Sequence, residues 1–239
     1  MAGTLPKDQN ASLLVQMAVN NNRLSGTIEP RSLNYNYLFS ASFNRLSGSI
    51  SRRFGLLTSL EYLLLGENFF SSSLPSELGR LTHLKALDVS KNKLEGSNPN
   101  EFENLIELKV LSISENPNLN WNLTQLIEWH SVTDLLMQRC GIGGTTPEFL
   151  PDSVITLILR SNFLSGTMSK NIISSASFLQ LLDLSNNELS GSIPQTATLA
   201  GKMQNLLLNN MRMSSSLPAQ DSHRTDSPLY DTLSTVLGN

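Results

Sequence analysis

The sequence predicts an α/β repeat solenoid: a right-handed superhelical arc with a parallel β-sheet on its concave side and a mostly irregular or 3-10 convex side. Three observations predict it. First, a frame L-x-x-L-x-L-x-x-N-x-L-x-G-x-I-P recurs, with its asparagine position at Asn22, Asn44, Asn68, Asn92, Asn116, Cys140, Asn162, Asn187 and Met211. The steps are 22, 24, 24, 24, 24, 22, 25 and 24 residues. Second, apolar residues alternate just before each asparagine, as in Ala86-Leu-Asp-Val89, which sends Leu87 and Val89 inward and Ala86 and Asp88 outward. Third, the unit is too short to bury its own apolar face. Such units gain cover only from their neighbours, so stability is collective.

The elements follow in order. Residues 1–13 read as the tail of a preceding repeat, because Gly3-Thr-Leu-Pro6 fits the glycine, isoleucine and proline positions. The array is therefore expected to begin inside a repeat. Nine repeats occupy 14–218, the cleanest running Leu179, Leu182, Leu184, Asn187, Leu189, Gly191, Ile193, Pro194. Each asparagine amide both donates and accepts, so it can satisfy turn backbone that no strand ladder reaches. At Cys140 a thiol replaces it, and at Met211 nothing polar does, which predicts a looser last unit. The Gly-x-Ile-Pro segment turns the chain along one flank, and leucines such as Leu78 and Leu81 fill the convex side. The fifth repeat breaks the pattern with Pro117-Asn-Leu-Asn-Trp-Asn122, so its flank turn is expected to differ. Trp129 occupies a convex core position; Trp121 falls in the irregular unit. Residues 219–239 form a tail, with either a short amphipathic helix from Pro228 or a frayed end.

Arg23-Leu-Ser-Gly-Thr-Ile28, Arg45-Leu-Ser-Gly-Ser-Ile50 and Glu188-Leu-Ser-Gly-Ser-Ile-Pro194 resemble the plant-specific class of leucine-rich repeat (LRR). The resemblance covers most of the chain. It implies a binding surface rather than an enzyme, of the kind seen in ectodomains of LRR receptor-like kinases and receptor-like proteins and in secreted inhibitor proteins. Two functions follow: a fragment of a receptor-like ectodomain recognising a protein or peptide on its concave face, or a stand-alone soluble interaction or inhibitor protein. The first implies an extracellular or cell-surface location. The N-terminus carries no signal-peptide pattern, which leaves a cytoplasmic location open. The paired-cysteine caps usual in that class are missing from this sequence, whose one cysteine is Cys140.

Composition narrows the chemistry. Charged residues make up 15% of the chain and the net charge is −3, with no basic stripe suited to a phosphate backbone, so nucleic acid is not an expected partner. No apolar run reaches the roughly 18 residues of a membrane span. His83, His130 and His223 have no second ligand at metal-site spacing, and no cofactor is expected. Cys140, in an asparagine position, reads as a buried structural thiol.

Outward positions six, four, two and one residues before each asparagine define the candidate binding face. Leu38, Phe43, Tyr62 and Leu64 form an exposed apolar–aromatic group, the usual chemistry of a partner anchor. Asp88 follows it. Asp134, Gln138, Arg139, Arg160 and Asp183 form a mixed charged group, with Leu136 and Ile158 between them. The alternative for both is ordinary surface variation. Asn10-Ala-Ser12 and Asn122-Leu-Thr124 match the N-glycosylation acceptor, off the strands.

Overall fold

The computed structural model describes residues 2–3, 15–30, 37–194 and 203–213. The expected boundaries at residues 13 and 218, the tail and Asn10 lie outside these residues. The chain divides into two compact units, Met1–Asn122 and Leu123–Asn239.

In the first unit, the strands Gln16–Ala18, Leu38–Ser40, Tyr62–Leu64, Ala86–Asp88 and Val110–Ser112 form one parallel sheet. They stack in phase, so that Gln16, Leu38, Tyr62, Ala86 and Val110 share a row. The central residue of each later strand, Phe39, Leu63, Leu87 or Leu111, is buried in the core. The outward neighbours are the frame's variable positions, as strand alternation requires.

A second parallel sheet follows the asparagines: Ala2–Gly3, Arg23–Gly26, Arg45–Ser49, Phe69–Ser72, Lys93–Gly96 and Asn118–Leu119. The flank is thus strand, where the sequence suggested a turn. The Leu-Ser-Gly run explains it, since Leu46 points inward, Ser47 outward, and the chain bends at Gly48. The irregular fifth repeat keeps this strand. Asn118–Leu119 pairs with Glu95–Gly96, and Leu119 is buried one position later than the frame's usual leucine. Trp121 is buried there and meets Phe102 edge-on, with ring centroids 6.1 Å apart.

The remaining side carries the 3-10 helices Arg52–Leu56, Ser76–Arg80 and Asn100–Asn104. Pro75 and Pro99 lead into the second and third, with φ near the value the pyrrolidine ring imposes. Gly79 sits where a Cβ would lie 2.3 Å from the Glu101 carbonyl oxygen, so these turns stack closer than any side chain permits.

The second unit repeats the plan. Asp134–Leu136, Thr156–Ile158, Leu181–Asp183 and Asn205–Leu207 form its first sheet. Gly143–Gly144, Phe163–Thr167, Glu188–Gly191 and Arg212–Met213 form its second. The 3-10 helix Leu123–Glu128 precedes the strand Asp134–Leu136 in the chain, and the α-helix Asn171–Ser174 precedes Leu181–Asp183. Among the described residues, no helix is long and apolar enough to cross a membrane.

Between the two sheets of each unit runs a column of buried amides. Asn92 accepts from the Phe70 amide at 2.9 Å and donates to the carbonyls of Leu65, Val89 and Ser90 at 3.2, 3.0 and 3.0 Å. Asn44, Asn68 and Asn116 make the same set of contacts, linking each repeat to the one before. Asn162 and Asn187 do so in the second unit. Asn22, at the start, is exposed and donates to Val19 and Asn20. The Cys140 thiol donates to the Gln138 carbonyl at 3.3 Å. Met211 carries no amide, so the neighbouring repeat receives no such bond from it.

Candidate functional site

The residue before each asparagine position has a positive φ: Asn21, Phe43, Glu67, Lys91 and Glu115 in the first unit, and Arg139, Ser161, Asn186 and Asn210 in the second. None is glycine, so each carries steric strain. The left-handed turn aims the backbone N–H at the next repeat. Phe43 donates to the Gly66 carbonyl, Glu67 to Ser90 and Lys91 to Ser114. It also throws the side chain out of the fold, and Phe43 is 50% exposed.

The first unit's sheet brings the apolar candidates together. Leu38 and Tyr62 are direct neighbours in one row, Leu64 lies two residues along from Tyr62, and all three are half-buried. Tyr37, which the sequence reading passed over, extends the group. Its ring centroid lies 5.2 Å from that of Tyr62, and both rings stand at the strands' leading edge. The charge of Tyr62 when ionised, and then the hydrogen bond with its hydroxyl, push the Tyr37 phenol above its ordinary pKa. Only a reading extended to the seventh residue before each asparagine would have found Tyr37. That row also carries Glu61 and Lys85, paired at 2.7 Å, an ion pair that holds the Lys85 ammonium above its usual range. Ala86 and Val110 continue the Leu38–Tyr62 row, so the apolar strip runs over four strands, about 14 Å.

Asp88 is half-buried beside it. Its Oδ1 accepts from the Ser90 amide at 3.0 Å, and its Oδ2 leans over Gly66, where a Cβ would come within 2.8 Å. The absence of a side chain at Gly66 makes room for this carboxylate.

In the second unit, Asp134, Leu136, Gln138 and Ile158 are half-buried, and Arg139 and Arg160 are exposed. Leu136 and Ile158 are paired neighbours on adjacent strands. Asp134 accepts a hydrogen bond from the Thr133 hydroxyl at 2.7 Å. Asp183 requires a correction. The sequence placed it on the open face, yet it is only 6% exposed. Its Oδ1 accepts from both the amide and the hydroxyl of Ser185, so the carboxylate braces the turn rather than facing solvent. Ser40, in the same row of the first unit, is also buried, with its hydroxyl on Asn20.

Cys140 is fully buried. Trp129 and Trp121 are both core residues. Asn122 is exposed. Among the described residues, no group of three or more His, Cys, Asp or Glu side chains is placed to hold a metal ion.

The Leucine Rich Repeat family matches at residues 59–81, 83–105 and 178–197. No curated protein sequence matches the chain. Solved structures do. A TDR receptor is 26% identical, with TM-score 0.78, covering 91% of this chain and 38% of its own. The plant peptide hormone receptor RGFR1 in complex with RGF2 is 26% identical, with TM-score 0.78, covering 89% and 35%. The Arabidopsis receptor kinase HAESA, in complex with the peptide hormone IDA and the co-receptor SERK1, is 27% identical, with TM-score 0.70, covering 91% and 42%. The chain spans well under half the length of each of these structures. It is built from leucine-rich repeats, and its structure matches plant receptor-kinase ectodomains of that class.

Proposed function

We propose that the chain is a non-catalytic recognition module that binds a protein or peptide on the first sheet of its repeats, the face expected to be concave, as part of an extracellular receptor-like ectodomain. The observation that carries this reading is the apolar strip of the first unit. Tyr37, Leu38, Tyr62 and Leu64 lie side by side with Phe43 projecting at its edge. Rigid aromatic rings beside leucines offer large apolar area at small entropic cost, which is what a binding anchor needs. Peptide hormones accompany two of the matching structures, and this supports a peptide as the partner class. In the second unit, Leu136 and Ile158, with exposed Arg139 and Arg160 nearby in sequence, offer a contact surface of their own.

The test is selection from a displayed random-peptide library against the intact chain. Selected peptides should lose about 30-fold or more in affinity to the Tyr62→Ala, Leu64→Ala double variant, the size expected from removing two central anchors. The Ile106→Ser variant, altered at an exposed residue outside the strands, should bind as the parent does. Undiminished binding by a folded double variant would remove the strip from the site.

A further inference from the structure

We propose that the second sheet of the first unit carries a separate docking strip for an extended acidic protein segment. Four exposed residues form it: Arg23, Arg45, Phe69 and Lys93, each the first residue of its strand. The strands are staggered. Arg45 lies beside Ser25, Phe69 beside Ser47 and Lys93 beside Ser71. Every large side chain therefore stands next to a small one and is free to reach outward. The Lys93 ammonium lies over the Phe69 ring, 5.3 Å from its centroid.

Among the described residues the two guanidinium groups are uncommitted: Glu61 pairs with Lys85, Glu67 with Lys91, Glu107 with His83 and Glu188 with Arg212, whereas Arg23 and Arg45 join no ion pair there. The chain as a whole is acidic, with net charge −3, so this local positive strip is not a general property of its surface.

The spacing selects the partner's form. From Arg23 to Arg45 is two residues along a strand and one strand across, a Cα separation of about 8 Å. An extended peptide presents alternate side chains on one face about 7 Å apart. Carboxylates two residues apart thus fall within reach of both guanidinium forks, which bind carboxylate in bidentate fashion. The next side chain on that face meets Phe69, with Lys93 bounding it. Beyond Lys93, on the same strand face, stands exposed Glu95, which repels a further carboxylate. The strip therefore favours a segment with two acids and then an apolar residue over a uniform polyanion.

The probe is a short fluorescein-labelled peptide with glutamates at alternate positions followed by a phenylalanine, titrated by anisotropy against the full chain. The parent should bind it, and binding should weaken with salt. Arg23→Glu with Arg45→Glu should lower affinity about tenfold or more, and Arg23→Gln with Arg45→Gln by less, because reversal adds repulsion to the lost contacts. Phe69→Ser should weaken it several-fold by removing the apolar contact. Tyr62→Ala with Leu64→Ala should leave it unchanged, which separates this strip from the first-sheet site. No binding by the parent, equal binding by a folded charge-reversed variant, or tighter binding of heparin than of the peptide would each overturn the proposal.

Discussion

Replacing Asn92 by alanine tests what the amide column contributes. Four hydrogen bonds are lost, but the consequences are unequal. The Leu65 carbonyl still accepts from Asn68 at 3.1 Å, the Val89 carbonyl from Asn116 at 3.0 Å, and the Ser90 carbonyl from the Glu67 amide at 2.9 Å. Only the Phe70 amide loses its partner, and Phe70 is fully buried. One orphaned buried donor costs about 1–3 kcal/mol, and the three shared bonds add a fraction of a kcal/mol each, for a total of about 2–4 kcal/mol. That is a large part of a stability of about 5–15 kcal/mol. Urea unfolding followed by circular dichroism measures the total, and hydrogen exchange should show the Phe70 amide losing protection first. Asn92→Asp separates shape from donor capacity. Aspartate keeps an oxygen for the Phe70 amide but turns a second oxygen toward three carbonyls, so it should be worse than alanine at neutral pH. Its carboxyl would be held above the unfolded-state pKa of about 3.9. Relative stability is then greatest below that value and is lost as pH rises through the folded-state pKa. An aspartate variant as stable as the parent at pH 7, or an unchanged Phe70 amide in the alanine variant, would refute this reasoning.

Further outcomes follow from the geometry. Gly79→Ala should destabilise by about 2–3 kcal/mol despite alanine's better helix propensity, because its Cβ would meet the Glu101 carbonyl oxygen at 2.3 Å. Glu103→Ala, at the equivalent exposed position of the next 3-10 helix, should change thermal stability by less than about 0.5 kcal/mol. Tyr37, Lys85 and Lys91 all have raised pKa values, through Tyr62, Glu61 and Glu67 respectively. Their contributions are present below the unfolded-state values of about 10 and are lost as pH rises through the folded ones, so stability should fall only in the alkaline range. Absorbance titration of Tyr62→Phe should show the Tyr37 phenol moving back down; no movement would dissociate the two rings. Phe43→Asn should raise stability by up to about 1 kcal/mol by relieving strain at φ +58°, while weakening capture of first-sheet peptides; a stability loss on unfolding would contradict the strain.

Much of this fold is legible because inward positions answer to many neighbours at once. Leu63 and Leu87 are each enclosed by the repeats on either side, so a polar residue there would cost several kcal/mol and the period stays readable. Features that rest on the lack of an atom are harder to see. Gly79 looks like a helix-weakening residue until the approach of Glu101 explains it. Asp183 shows a different limit. Alternation places it outward correctly, but alternation says nothing about Ser185 two residues on, which folds back and covers the carboxylate. The second sheet is hidden for a related reason, since Leu-Ser-Gly reads as a turn signal although the residues leading into the glycine, Arg45, Leu46 and Ser47, still alternate.

The left-handed row sets the deepest limit on reading a binding face from this sequence. Its residue types are Asn, Phe, Glu, Lys, Glu, Arg, Ser, Asn and Asn, with no glycine to betray the backbone. At seven of these positions (Asn21, Phe43, Glu67, Lys91, Arg139, Ser161 and Asn186) the strain of about 1–2 kcal/mol per residue is offset by the N–H sent to the next repeat, which any L-residue except proline can supply. Backbone demand therefore fixes the conformation and leaves the side chain almost unconstrained. That freedom is what a recognition surface requires: Phe43 and Arg139 project where Asn21 and Asn186 do, and identity there can change without disturbing the core. A position that tolerates most side chains carries little fold signal, and for the same reason it is where specificity is cheapest to vary.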